Sequence, residues 1–187
     1  MFNNIYRDKK VLVTGHTGFK GTWLTTWLLK LGAEVVGISK DIPTNPSMFE
    51  ELMLENKIKH YQEDIRDLSK MIEIISSEEP EFLFHLAAQP IVSTSYNDPI
   101  ETISSNVMGT ANILEALKTS NHKCSAIIIT SDKAYDNVEQ VWGYKEDDKM
   151  GGKDIYSGSK GAAELIIKSY YHSFLKNKDS NIKLAIG

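Results

Sequence analysis

Tyr156 and Lys160 stand four residues apart, so on a helix they share one face. An ammonium beside a phenol stabilises the phenolate and lowers a tyrosine pKa from about 10. Such a phenol can take a proton from an alcohol near neutral pH. The same spacing recurs at Tyr6 and Lys10. That pair precedes the first expected strand and cannot reach the carboxyl edge of a sheet, where ligands sit in open α/β folds. Tyr156 heads a helix that follows a strand ending at Thr130, which makes it the candidate base. Ser131, Asp132 and Lys133 come directly after that strand. Ser131 could hydrogen-bond a substrate hydroxyl, and Asp132 with Lys133 sets an acid beside a base. Read instead as a solvated loop ion pair, the two would contribute little.

A second constellation lies near the start. Thr14 to Gly21 reads Thr-Gly-His-Thr-Gly-Phe-Lys-Gly, with glycines spaced G-x-x-G-x-x-G. Between a strand and a helix, such a turn aims backbone N–H groups and the positive helix end at a pyrophosphate. Gly15 permits the tight turn, Gly18 lets phosphates approach the backbone, and Gly21 lets helix and strand pack closely. An acidic residue after the second strand would hold an adenosine ribose, as in NAD. Asp41 could do this, while Lys40 could instead favour the 2′-phosphate of NADP, so NAD is preferred and NADP stays open. Asp64 and Ile65, after the third strand, are candidates for the adenine edge. Asp64 could equally cap the start of a helix at 66–68.

These groups need an alternating scaffold. Residues 11–15 and 34–38 read as buried strands around a helix at 19–31, whose apolar face carries Trp23, Leu24, Trp27, Leu28 and Leu31. Trp23 and Trp27 are expected in the core. Residues 41–47 read as a loop, 49–55 as a short helix, 58–62 as a strand and 68–77 as a helix. A strand at 82–86 leads to a long helix at 99–118, with Ile103, Val107, Ala111, Leu114 and Leu117 as its apolar stripe. A strand at 126–130, a charged loop at 136–153, a helix at 156–175 and a strand at 182–186 complete the reading. Alternating strands and helices with apolar strands predict an α/β fold, a doubly wound parallel sheet of Rossmann type covered on both faces.

Composition narrows the class. The 187 residues suit one domain or slightly more. A net charge of −4 argues against a nucleic-acid surface or a polybasic membrane binder. A lone cysteine, Cys124, excludes an internal disulfide and a cysteine-clustered metal site, and no motif marks it as a nucleophile. The five histidines show no paired metal spacing, so no metal is expected, and His85 reads as a satisfied core histidine. No apolar run approaches 18 residues, and Met1–Lys10 has no signal-peptide core. A cytoplasmic protein is expected. Trp142 serves either substrate stacking or loop packing, and Glu146-Asp147-Asp148 reads as solvated.

Taken together, Thr14–Gly21, His85-Leu86-Ala87-Ala88-Gln89, Asn106-Val107-Met108-Gly109-Thr110 and Tyr156–Lys160 resemble the extended short-chain dehydrogenase/reductase family, from about residue 9 to the end. Ser131-Asp132-Lys133, Trp142-Gly143-Tyr144 and Met150-Gly151-Gly152 look like its nucleotide-sugar 4,6-dehydratases, with CDP-linked glucose as substrate. The resemblance implies a bound NAD contacted by Gly15, Thr17, Gly18, Phe19, Gly21, Asp41, Asp64, Ile65, Leu86, Ala87, Ala88, Asn106, Tyr156 and Lys160. It implies that Tyr156, helped by Lys160 and Ser131, takes the sugar 4-hydroxyl proton as hydride leaves C4. Neutral Lys133 would then take the C5 proton, and protonated Asp132 would donate to the departing 6-hydroxyl. It also implies a homodimer pairing through helices near 99–118 and 156–175. Gly158, Ser93 and Ala134 depart from the asparagine, arginine and cysteine common in the family, and Ser93 leaves a substrate or subunit contact in doubt. Family members run on into a substrate domain, so residues 1–187 are expected to be the dinucleotide-binding part, truncated before it. The competing readings are an epimerase, against which Asp132-Lys133 argues, and a module that holds a dinucleotide without turnover.

Overall fold

The computed structural model describes residues 2–177 and 180–187. Six strands, β1 (Lys10–Thr14), β2 (Glu34–Ser39), β3 (Lys59–Gln62), β4 (Phe82–His85), β5 (Cys124–Ile128) and β6 (Ile182–Ile186), form one sheet. Its order is β3-β2-β1-β4-β5-β6, every neighbour pair parallel. The helices are α1 (Phe19–Lys30), α2 (Met48–Glu51), α3 (Leu68–Glu78), α4 (Val92–Asn97), α5 (Pro99–Ile103), α6 (Gly109–Thr119) and α7 (Ile155–Tyr170). The strand order reverses at β1, and the crevice between β1 and β4 is the position where such sheets bind ligands.

Alternation along each strand divides the core in two. Leu12, Val36, Ile38, Leu83, Ala126 and Ile128 face one side, where Met71, Ile75, Ile113, Leu117 and Ile167 of α3, α6 and α7 cover them. Val11, Val13, Val35 and Phe84 face the other, against Leu28 of α1. The expected covering of both faces therefore holds, with the larger core on the first side.

Three details depart from the sequence reading. Helix α1 buries Gly21, Thr22, Thr25 and Leu28. Trp23 and Trp27 point outward, at 58% and 47% exposure, so the expectation that they are core is wrong. The close approach of α1 to the turn before it demands small side chains, and that requirement sets the helix phase. The helix expected at 99–118 is interrupted by a π-helical turn at Ser104–Met108. The extra residue rotates the face that follows relative to α5, so Ile113, Leu114 and Leu117 are buried while Ile103, before the turn, is exposed. Helix α4 was not foreseen, because Val92–Asn97 has no apolar period.

At the amino edge of the sheet, Glu78 at the end of α3 is almost wholly buried. Its carboxylate accepts from Lys59 and from Lys10 at 3.2 Å, and from the Tyr61 hydroxyl at 2.5 Å. Burial alone would raise its pKa, but the hydrogen bonds from Lys59, Tyr61 and Lys10 outweigh burial and bring it to about 2. This stabilisation is present above the ordinary glutamate pKa and is lost as pH falls through about 2. Glu78→Gln is expected to cost about 2–3 kcal/mol at pH 7 by leaving these donors imperfectly paired. Urea midpoints at pH 7 and pH 3 check this: the gap to wild type should shrink at the lower pH.

Candidate dinucleotide and active site

The glycine turn lies over the crevice between β1 and β4. Gly15 has φ +73°, and a side chain there would meet the Ala87 backbone at 2.8 Å. Gly21 lies still closer, since its Cβ would fall 2.0 Å from the Gly15 carbonyl oxygen. Gly18 has only the Gly15 oxygen nearby, at 3.4 Å, so its backbone stays open to a ligand. Gly18 caps α1 without a side-chain hydrogen bond, and no acidic residue occupies the first turn. The first N–H groups of α1 therefore present an uncompensated positive end.

A chain of hydrogen bonds fixes the β4 end against this turn. The Thr14 hydroxyl lies 2.7 Å from His85 Nδ1 and accepts from the Leu86 and Ala87 N–H groups at 3.2 and 3.1 Å. His85 Nε2 lies 3.1 Å from the Thr110 hydroxyl, which itself donates to the Asn106 carbonyl. These partners assign the Nε2–H tautomer. Burial, and then Lys160, hold the His85 pKa at about 3, so it is the neutral core histidine expected from sequence.

His16, inside the turn, was given no role from sequence. It is fully buried, with Nδ1 3.0 Å from the Ser39 hydroxyl and Nε2 2.8 Å from His60 Nδ1. Burial and His60 lower its pKa to about 4. Its ring occupies the space over Gly37, where a Cβ would fall 2.5 Å away. The missing side chain in β2 was the available signal. Thr17 joins the same junction, its hydroxyl donating to the Asp41 carbonyl at 2.7 Å.

One cavity of about 530 Å³ runs along this edge. Gly15, Thr17, Gly18, Phe19 and Gly21 line its middle, and Asp41, Asp64 and Ile65 line one end. Leu86, Ala87, Ala88, Tyr156 and Lys160 line the rest, so these predicted residues are brought together. Asp64 lines the cavity and accepts from the Arg66 N–H at 2.9 Å, but it caps no helix: α3 starts at Leu68 and its cap is Asp67, which accepts from the Lys70 N–H. Asn106 is buried behind the cavity wall, in the π-helical turn. Its Nδ2 donates to Ser159 Oγ at 2.9 Å, and the Ser159 hydroxyl donates to the Tyr156 carbonyl at 2.7 Å. Its Oδ1 accepts from the Gln89 N–H at 2.8 Å. It therefore joins the β4 loop to the first turn of α7.

Helix α7 begins at Asp154, whose carboxylate accepts from the Ser157 N–H at 2.9 Å. This cap places Tyr156 and Lys160 on the buried face, with Lys160 Nζ 5.9 Å from the Tyr156 ring centroid. Burial, and then Lys20, lower the Lys160 pKa to about 8. Ser131 begins a short 3-10 turn, its hydroxyl accepting from the Lys133 N–H and donating to Asp132 at 3.2 Å each. Asp132 and Lys133 are exposed beside the cavity and do not line it. Thr130 just before them donates to Glu164 of α7 at 2.7 Å, an anchor that sequence reasoning missed. Cys124 is buried, with its thiol pushed up to about 12, consistent with no nucleophilic role.

A parallel sheet of this order, with a glycine turn over the β1–β4 crevice, defines a Rossmann-type dinucleotide-binding fold. The chain belongs to the GDP-mannose 4,6 dehydratase family, whose pattern it matches over residues 12–178. It is 50% identical over 171 residues to the CDP-glucose 4,6-dehydratase of Salmonella typhimurium, covering 91% of this chain and 48% of that protein. Among solved structures, it matches the UDP-glucose 4-epimerase of Thermus thermophilus in complex with NAD, with TM-score 0.80 and 25% identity. That match covers 95% of this chain and 53% of the epimerase. It also matches the Bacillus cereus UDP-glucuronic acid 4-epimerase in complex with UDP-glucuronic acid and NAD, at TM-score 0.75 and 31% identity, covering 95% and 55%. The chain thus spans about half the length of the relatives it matches. Among the described residues, no helix is long and apolar enough to cross a membrane, and no cluster of three metal-ligating side chains occurs.

Proposed function

We propose that this chain is the cofactor-binding and proton-transfer part of a cytoplasmic nucleotide-sugar 4,6-dehydratase, converting CDP-glucose to CDP-4-keto-6-deoxyglucose and water. The observation that carries the reading is the 50% identity to the Salmonella dehydratase. Tyr156 and Lys160 sharing one cavity with the glycine turn supports it.

The cavity fits NAD. The open backbone at Gly18 and the uncapped start of α1 suit a pyrophosphate. Ser39 and Asp41 would serve the adenosine ribose, and Asp64 and Ile65 the adenine. Leu86, Ala87, Ala88 and Lys160 would line the nicotinamide half. When bound, NAD supplies a reversible hydride acceptor, so the overall reaction needs no outside oxidant.

The protein's own groups move the protons. Tyr156 Oη takes the proton of the sugar 4-hydroxyl, and the Lys160 ammonium stabilises the phenolate form that does so. Ser131 Oγ orients that hydroxyl. The 4-keto group acidifies the C5 hydrogen, which Lys133 Nζ removes. Asp132 gives a proton to the departing 6-hydroxyl as water leaves; Lys133 then returns its proton to C5, and the proton that Tyr156 took balances the one Asp132 gave. Exposed Ile100, Ile103, Met108 and Leu165 support a homodimer pairing through α5, α6 and α7.

Incubation with CDP-glucose and NAD, followed by mass analysis, tests the reading. A product lighter by one water supports it, and unchanged CDP-glucose with dinucleotide bound overturns it. Tyr156→Phe is expected to lower turnover by about 10²–10⁴-fold, read as the initial rate of water loss.

A further inference from the structure

The adenosine end of the cavity carries both signs of charge, and their pairing is specific. Lys40 follows β2, Asp64 and Arg66 follow β3, and Glu101 comes from α5. Lys40 Nζ lies 3.0 Å from one Glu101 oxygen, and Arg66 Nη1 donates to the other. Arg66 Nη2 and Nε also reach the Asp64 carboxylate, at 2.6 and 3.0 Å. One carboxylate from a separate helix thus holds both cations flanking the ribose end. Lys40 and Asp64 face the cavity, together with Asp41 and Glu63. Counting Arg66 and Glu101, two cations meet four carboxylates, a formal balance of −2.

We propose that Glu101 determines the dinucleotide preference, occupying Lys40 and Arg66 so that the site accepts a 2′-hydroxyl and rejects a 2′-phosphate. The proposal rests on the reading of this cavity as an NAD site. A phosphate monoester carries about −1.5 to −2 charge at pH 7 and is recognised by cations with free donors. Here Glu101 neutralises Lys40 and, with Asp64, holds Arg66, and the surrounding carboxylates repel the added charge. Specificity of this kind needs a repulsive element as well as an attractive one. Lys40, which left the choice between NAD and NADP open in the sequence, is disarmed by a residue 61 positions away.

The experiment is titration of the protein with NAD and with NADP by calorimetry, in wild type, Glu101→Gln and the double variant Lys40→Ala with Glu101→Gln. Wild type should bind NAD at least about tenfold more tightly than NADP. Glu101→Gln should tighten NADP binding by about tenfold with NAD little changed, and Lys40→Ala in that background should reverse the gain. Glu101→Ala should move NADP binding the same way, so the result does not hang on one folded variant. Unchanged NADP binding in folded Glu101 variants overturns the proposal. A wild type that binds neither dinucleotide overturns the reading of the cavity itself, and the proposal with it.

Discussion

Gly21→Ala is expected to destabilise the protein by about 2–4 kcal/mol and to abolish NAD binding. The added methyl would fall 2.0 Å from the Gly15 oxygen and 2.7 Å from both Gly15 C and His16 Cα. All three atoms are backbone, so no rotamer change relieves the overlap, and α1 must move away from the turn. Alanine in a helix gains about 1 kcal/mol over glycine, which is smaller than the cost of overpacking a rigid junction. The displacement also removes the first N–H groups of α1 from the pyrophosphate position. For a chain of this size the melting temperature should fall by about 5–15 °C. Thermal unfolding together with NAD titration checks both parts. A variant as stable as wild type, with NAD bound normally, would show that the junction yields.

Lys160→Met should have opposite effects on stability and turnover. Lys160 is 6% exposed, and among the described residues no carboxylate pairs with it. Burial, then Lys20, bring its pKa from 10.5 to about 8. The folded state therefore disfavours the ammonium that the unfolded chain carries freely. This penalty is full below about pH 8 and is relieved as pH rises toward 10.5, because the unfolded chain then binds more protons than the folded one. Methionine keeps the stem's packing and removes the charge, so the variant should be about 1–3 kcal/mol more stable at pH 7. Most of that advantage should be gone at pH 10. The proposed dehydratase turnover should be lost, because Tyr156 loses the neighbouring ammonium that supports its proton transfer. Urea unfolding at pH 7 and pH 10, paired with the mass assay, separates the two effects. A variant less stable than wild type at pH 7 would mean that the ammonium is a structural group.

Much of the strand pattern was legible because period-two and short apolar runs are local signals. The strand expected at 182–186 is the strand observed, and the Tyr156–Lys160 face follows from helical spacing alone. What sequence could not supply was the phase of helices set by distant contacts. Trp23 and Trp27 looked like core by hydrophobicity, yet close packing at Gly21 turns them outward. The π-helical turn at Ser104–Met108 leaves no local mark, and it carries Asn106 to Ser159 on α7. Charge pairing was equally hidden, since Lys40 after β2 meets Glu101 of α5 across 61 positions of chain.

The overlap of the His16 ring with the space above Gly37 has an evolutionary consequence. Neither position can drift alone. A side chain at 37 is excluded while the imidazole is present, and losing the imidazole first leaves a void beside bare backbone. The two sites are therefore epistatic, with strongly non-additive single and double changes. A lineage leaving this arrangement must lose the histidine before it fills β2, and the destabilised intermediate makes that path narrow.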